Sequence, residues 1–225
     1  MGRFIVIDGL DGSGKETQSL ILKKRLEEIG VRVRYISFPQ YDSDSSLFVK
    51  KYLNGELGSR PEDTNAYAAS SFFAADRYLS YRTDWKKDID DPDTVVIANR
   101  YTTANAVHQL SKLPEEEYDG FLQWLFDLEY GKMGLPEPNL VLYLCVPPEV
   151  STSLIQSRSS QTGRATDIHE NDKKHLSDSY KAALYSAEKL GWAKIDCASD
   201  GTLRTREDIH GEILRYVEAL PELGA

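Results

Sequence analysis

Cysteine is almost missing from this chain, basic residues fall short of acidic ones, and no apolar run is long enough to cross a bilayer. Of the 225 residues only two are cysteine. Cys145 lies in the apolar run Leu140–Val146 and Cys197 follows Lys194–Asp196, with no metal-ligand spacing around either. A disulfide framework is thereby excluded, and the expectation is two buried thiols in a reduced compartment. Near the start the only apolar run is Phe4–Ile7, too short for a signal core or a membrane span. The expected location is therefore the cytoplasm, with no membrane partner. Lys and Arg total 27 against 36 Asp and Glu, a net charge of −9. Such a balance argues against a general affinity for nucleic acid or anionic lipid. Any phosphate ligand must meet positive charge gathered locally.

What is present reads as a globular α/β protein. Composition is 40% hydrophobic and 28% charged, which suits one domain over residues 1–225 with a core of useful size. Five β-branched or aliphatic runs stand out: Phe4–Ile7, Val31–Phe38, Val95–Ala98, Leu140–Val146 and Ala193–Cys197. Helical spacing fills the intervals. Leu22, Leu26 and Ile29 repeat at i, i+4, i+7 before Gly30, and Leu176, Tyr180, Leu184, Ala187 and Leu190 repeat before Gly191. This alternation predicts a mostly parallel five-stranded sheet with helices on both faces. The polar stretch Ser157–Asp172 lacks apolar periodicity and is either a surface loop or a mobile lid.

Residues 9 to 17 read GLDGSGKET, between the first strand and the first helix. Gly9, four residues, then Gly14-Lys15 is the spacing of a phosphate-binding loop (P-loop). Glycines at 9, 12 and 14 let the backbone around Ser13 curl until several N–H groups aim at one anion. The helix N-terminus adds partial positive charge and Lys15 reaches the outer phosphates. The strict pattern then breaks, because a metal-binding hydroxyl is expected directly after the lysine and Glu16 stands there, with Thr17 next.

Four segments together resemble the thymidylate kinase family: IDGLDGSGKETQ (Ile7–Gln18), SFPQYD (Ser37–Asp42), FFAADRY (Phe72–Tyr78) and NRYTTANAVHQ (Asn99–Gln109). The likeness runs from residue 4 to about residue 190 and implies a P-loop NTPase fold. It also implies transfer of the γ-phosphoryl of ATP to dTMP, with Mg²⁺ as cofactor, small-molecule nucleotides as partners and a homodimer as the assembly. Phe73 and Arg77 share one helix face, and the resemblance implies that the ring stacks on thymine while the guanidinium meets a base carbonyl. Asn105 is implied at the thymine edge. His108 takes the place of a family tyrosine beside the sugar 2′ position. Phe38, Pro39 and Tyr41 resemble the loop bordering the acceptor phosphate.

Arg100 follows a buried strand and should stand at its C-terminal end, where a planar guanidinium can clamp the acceptor phosphate. Asp11 is either a turn-stabilising carboxylate or, as the resemblance implies, a group near the metal and the acceptor phosphate. Gly12 stands where one subgroup carries an arginine. The subgroup without it draws the charge from the lid, which here offers Arg158 and Arg164. Asn99 replaces the family's aspartate before Arg100, leaving Asp8, Asp11 and Glu16 to hold Mg²⁺ or its waters. Two rivals remain at this level: another nucleotide or nucleoside kinase, and a nucleotide-binding paralogue without turnover. The first lacks its Asp-Gly-Phe-Pro-Arg or catalytic-carboxylate signature here.

Overall fold

The computed structural model describes residues 2–152, 154, 167–199 and 202–221. Its central sheet has five parallel strands in the order β2-β3-β1-β4-β5. They are β1 (Arg3–Gly9), β2 (Arg32–Ser37), β3 (Thr94–Asn99), β4 (Leu140–Cys145) and β5 (Ala193–Asp196). Each falls within a residue or two of an apolar run in the sequence. The described helices are α1 (Lys15–Glu28), α2 (Leu47–Leu53), α3 (Ala66–Ser80), α4 (Lys86–Asp90), α5 (Thr102–His108), α6 (Tyr118–Phe126), α7 (Ile168–Asn171), α8 (Lys173–Lys189) and α9 (Arg206–Glu218).

Strand β1 shows why both faces must be covered. Successive side chains point to opposite sides of a strand, so Phe4 and Val6 enter one core while Ile5 and Ile7 enter the other. The first core gathers Trp85, Tyr101, Phe121, Leu125 and Ala183; the second gathers Leu22 and Leu26 of α1 with Ile209 and Ile213 of α9. Strand β2 is less deeply buried than its neighbours. It is an edge strand, mostly half-buried, and Arg34 on it pairs with Asp84 and Asp88. The stop expected at Gly30 is where the first helix ends. Ile29 is 59% exposed, because α1 stops at Glu28 and Gly30 turns the chain with φ 86°. Both cysteines are free and buried, as expected.

Register gathers the site. Ile7 pairs with Asn99 and Ser37 pairs with the same Asn99, so β1, β2 and β3 end side by side. The phosphate loop, the Phe38-Pro39 segment and Arg100 therefore emerge from one edge of the sheet, where open α/β sheets bind ligands. No described helix is long and apolar enough to cross a membrane.

Candidate active site

The phosphate loop is shaped by two glycines for different reasons. Gly14 caps α1 with φ 83°, a left-handed backbone that side chains resist. At Gly9 a Cβ would lie 2.5 Å from Ser13 Oγ and 2.9 Å from the Leu144 carbonyl, so here the constraint is close approach. The loop is braced by Ser13 N donating to Leu10 O at 3.1 Å. Lys15 Nζ donates to Leu10 O at 3.2 Å and to Asp11 Oδ1 at 3.3 Å.

Asp11 Oδ1 also accepts from Arg100 Nη2 at 2.6 Å, so one carboxylate oxygen joins the loop lysine to the strand-end arginine. Burial pushes Asp11 toward its neutral form, but Arg100 and Lys15 outweigh it and hold the carboxyl well below the usual range. Burial and then Arg100 lower the Lys15 pKa, opposed by Asp11. Arg100 itself sits at φ 64°, uncommon for a residue with a Cβ. It is held there by its backbone N donating to Ile7 O at 3.1 Å and by Nη1 meeting His108 Nε2 at 2.8 Å. A guanidinium only donates, so this ring accepts at Nε2 and carries its proton on Nδ1. Burial first, and Arg100 second, hold His108 neutral, well below its ordinary pKa.

The far end of the cavity is organised by a residue that the sequence reading missed. Glu129 is fully buried and accepts from Arg77 Nε at 2.7 Å and Nη2 at 2.5 Å, from Thr102 Oγ1 at 2.7 Å and from Asn105 Nδ2 at 3.3 Å. Arg77 Nη1 spends a further donor on Tyr101 O at 3.3 Å. The Arg77 guanidinium is thus pinned from behind rather than free. Beside it, Phe73 is half-buried and packs edge-on against Tyr52, centroids 6.2 Å apart. A faint signal existed: Glu129 follows the buried Leu122 and Leu125 at helical spacing, a carboxylate on an apolar stripe. Asp76 of α3 was missed as well. It accepts from Gln40 N at 2.9 Å and from Ser45 Oγ, tying down the loop after the cis Phe38-Pro39 bond.

These groups surround one cavity of about 500 Å³. Asp11, Gly12, Gly14, Lys15, Glu16 and Thr17 line one side, and Phe38, Pro39, Tyr41 and Arg100 line it with them. Phe73, Arg77, Asn105 and His108 line the rest. Arg206, at the start of α9, also lines it, and no local motif announced that. Three expected residues do not line it. Gly9 and Ser13 are buried beneath the loop, and Asp8 is 1% exposed with Oδ1 accepting from Gly9 N and Oδ2 from Thr103 Oγ1. Asp8 braces the loop against α5 instead of presenting a carboxylate to the cavity. Arg158 and Arg164 fall outside the described residues. The end of the same segment is described: Asp167 lines the cavity and caps α7, and burial followed by Asp11 raises its pKa to about 6.

A family model described as thymidylate kinase matches residues 7–209. A thymidylate kinase of Mycobacterium tuberculosis is 30% identical over 170 residues, covering 75% of this chain and 78% of the relative. That of Plasmodium falciparum is 28% identical across 96% of this chain and 90% of its own length. A probable thymidylate kinase of Thermococcus gammatolerans is 31% identical with 97% of each covered. Among solved structures, a thymidylate kinase from Candida albicans superposes with a TM-score of 0.67 at 19% identity, over 96% of this chain and 91% of that one. At that identity the likeness speaks for the fold.

Proposed function

The chain belongs to the thymidylate kinase family, and we propose that its cavity performs the family reaction through the residues its geometry groups. The protein phosphorylates dTMP to dTDP in dTTP biosynthesis, with ATP as the donor. One observation carries the assignment of roles: a single Asp11 oxygen bonds both Lys15 and Arg100. Lys15 belongs to the loop that cradles the donor phosphates, and Arg100 to the strand end facing the acceptor. The two cations therefore stand side by side where a phosphoryl group would pass.

The attacking group is already an anionic phosphate oxygen, with a second pKa of about 6. No general base is required. Catalysis then reduces to positioning and to neutralising the charge that gathers between donor and acceptor. Lys15 and the N–H groups of Gly12 and of Gly14 to Thr17 hold the donor, while Gly9 and Ser13, whose N–H groups go to Asp8 and Leu10, shape the loop. Arg100 clamps the acceptor phosphate once its bonds to Asp11 and His108 exchange for phosphate oxygens. Phe73 stacks on the base, and Arg77, fixed by Glu129, offers its remaining donors to the base edge. Asn105 Nδ2 donates to Glu129 and to the Ser70 carbonyl, which leaves Oδ1 as an acceptor for that edge. Phe38, Pro39 and Tyr41 border the acceptor phosphate, and His108 borders the sugar.

A hard cation fits the donor set. Glu16 is exposed in the first turn of α1 and lines the cavity, and its carboxylate makes no hydrogen bond or ion pair among the described residues. Glu16 and Asp11 would hold Mg²⁺, directly or through water, with Asp8 behind them orienting the loop. Bound there, Mg²⁺ supplies positive charge to the triphosphate. The chain would act as one catalytic unit over residues 1–225, in the cytoplasm and as a homodimer, with 157–172 as a lid delivering Arg158 and Arg164. A coupled ADP-release assay across deoxynucleoside monophosphates and nucleosides tests the substrate. Preference for dTMP is expected, and turnover of another acceptor with dTMP inert would overturn the reading.

A further inference from the structure

Three of the four histidines in the chain meet at one point. His108 comes from α5, His169 from α7 and His175 from α8. All three are buried, and one ring nitrogen of each lies within 4.8 Å of the others. The His108 and His169 rings stack with centroids 5.2 Å apart, and the His169 and His175 rings lie tilted to each other at 4.5 Å. Nothing in the phosphoryl transfer uses His169 or His175. His108 Nδ1 is also buried without a hydrogen-bond partner among the described residues, a cost the fold carries for no structural return.

We propose that His108, His169 and His175 form a binding site for a divalent transition metal of the Zn²⁺ class, built into the wall of the acceptor cavity. Imidazole nitrogen suits Zn²⁺, Ni²⁺ or Cu²⁺, whereas Mg²⁺ takes oxygen, so this site is chemically separate from the one beside Glu16. Tetrahedral Zn–N bonds of about 2.0–2.1 Å put ligand nitrogens about 3.4 Å apart. The 4.8 Å spread therefore has to close by more than an ångström, a movement within reach of side-chain rotation. A fourth ligand is at hand in the Tyr52 hydroxyl, 2.7 Å from His169 Nε2, or in water from the cavity that His108 and His169 line.

Charge constrains how the site fills. Arg100 touches His108 and Lys112 acts on His169 and His175, both opposing a cation. Asp11 acts on all three rings, and Asp172 and Asp178 on His175, in the opposite sense. To offer a lone pair to metal, His108 must give up the bond from Arg100. Ligation through Nε2 uses that lone pair directly, and ligation through Nδ1 moves the proton to Nε2, where it faces another donor. Metal binding and loss of the Arg100–His108 bond are thus one event, which leaves Arg100 held by Asp11.

The test is a Zn²⁺ titration of the full-length, chelator-stripped protein against a chromophoric chelator. Excess Mg²⁺ is present and nucleotide is left out, so failure of the kinase assignment would not affect it. One saturating equivalent is expected. His169→Gln and His175→Gln should each weaken it by more than about 100-fold, beyond what loss of an outer hydrogen-bond partner costs, while His210→Gln leaves it unchanged. Absence of a saturable equivalent, or variant curves that match the parent, would overturn the proposal. Zinc-edge X-ray absorption on the unmutated protein needs no variant to fold. Three imidazole nitrogens around zinc support the site, and a shell of oxygen or sulfur alone overturns it.

Discussion

In the proposed reading, Phe73 and Glu129 divide the acceptor end of the cavity into a part that would touch the nucleotide and a part that holds the first part still. Phe73→Ala removes the stacking ring, and stacking losses run at about 1–3 kcal/mol per base. The KM for dTMP should rise roughly 5- to 150-fold with ATP affinity unmoved, as steady-state kinetics in both substrates would read. Glu129 acts differently. Substituting Gln leaves the Arg77 charge without its buried partner, a change that costs about 3–5 kcal/mol. Chemical denaturation of Glu129→Gln should show a loss of that order, and the dTMP KM should rise because Arg77 and Asn105 lose their anchor. Phe73 and Arg77 were legible in sequence because four residues on a helix define a shared face. Glu129 was not, because its partners lie on α3 and α5 and no local rule brings those to it.

Two elements present charge to the cavity from their first turns. Helix α1 opens on Lys15-Glu16-Thr17, and a carboxylate beside a triphosphate repels it unless a cation intervenes. Glu16→Gln should therefore raise the free Mg²⁺ needed for half-maximal rate, measured at saturating ATP and dTMP. An unshifted midpoint would assign Glu16 to the helix terminus alone. Helix α7 opens on Asp167, whose Oδ1 accepts from the N–H groups of His169 and Glu170 at 2.9 Å each. Its folded pKa of about 6, raised by burial and then by Asp11, exceeds the ordinary 3.8. Between those values the unfolded chain releases the proton and the folded chain keeps it. Stability contributed by this group is therefore complete below pH 3.8 and lost as pH climbs to about 6. Asp167→Asn keeps a capping oxygen and removes that ionisation. Its melting temperature should exceed the parent's at pH 8 and converge with it near pH 4, a convergence that thermal scans across pH would detect.

The sheet makes the molecule cooperative, since β1 and β3 bury side chains into cores on both faces. Ile97→Ala, at a fully buried position of β3, should cost about 2–5 kcal/mol. Denaturant midpoints should fall while kcat per folded molecule holds, because Ile97 faces the α1–α9 core and not the cavity. Strand positions, the P-loop and the segments that line the cavity with it were legible in the sequence alone. Each depends on a period of two or four residues, or on glycine and proline chemistry, acting within about a dozen neighbours. Strand order, the edge exposure of β2 and the withdrawal of Asp8 were decided by tertiary structure. So were the Asp11 bridge from Lys15 to Arg100, the Glu129 hub and the meeting of His108, His169 and His175. Those contacts join residues far apart in the chain, and only packing against a common sheet supplies the free energy to bring them together.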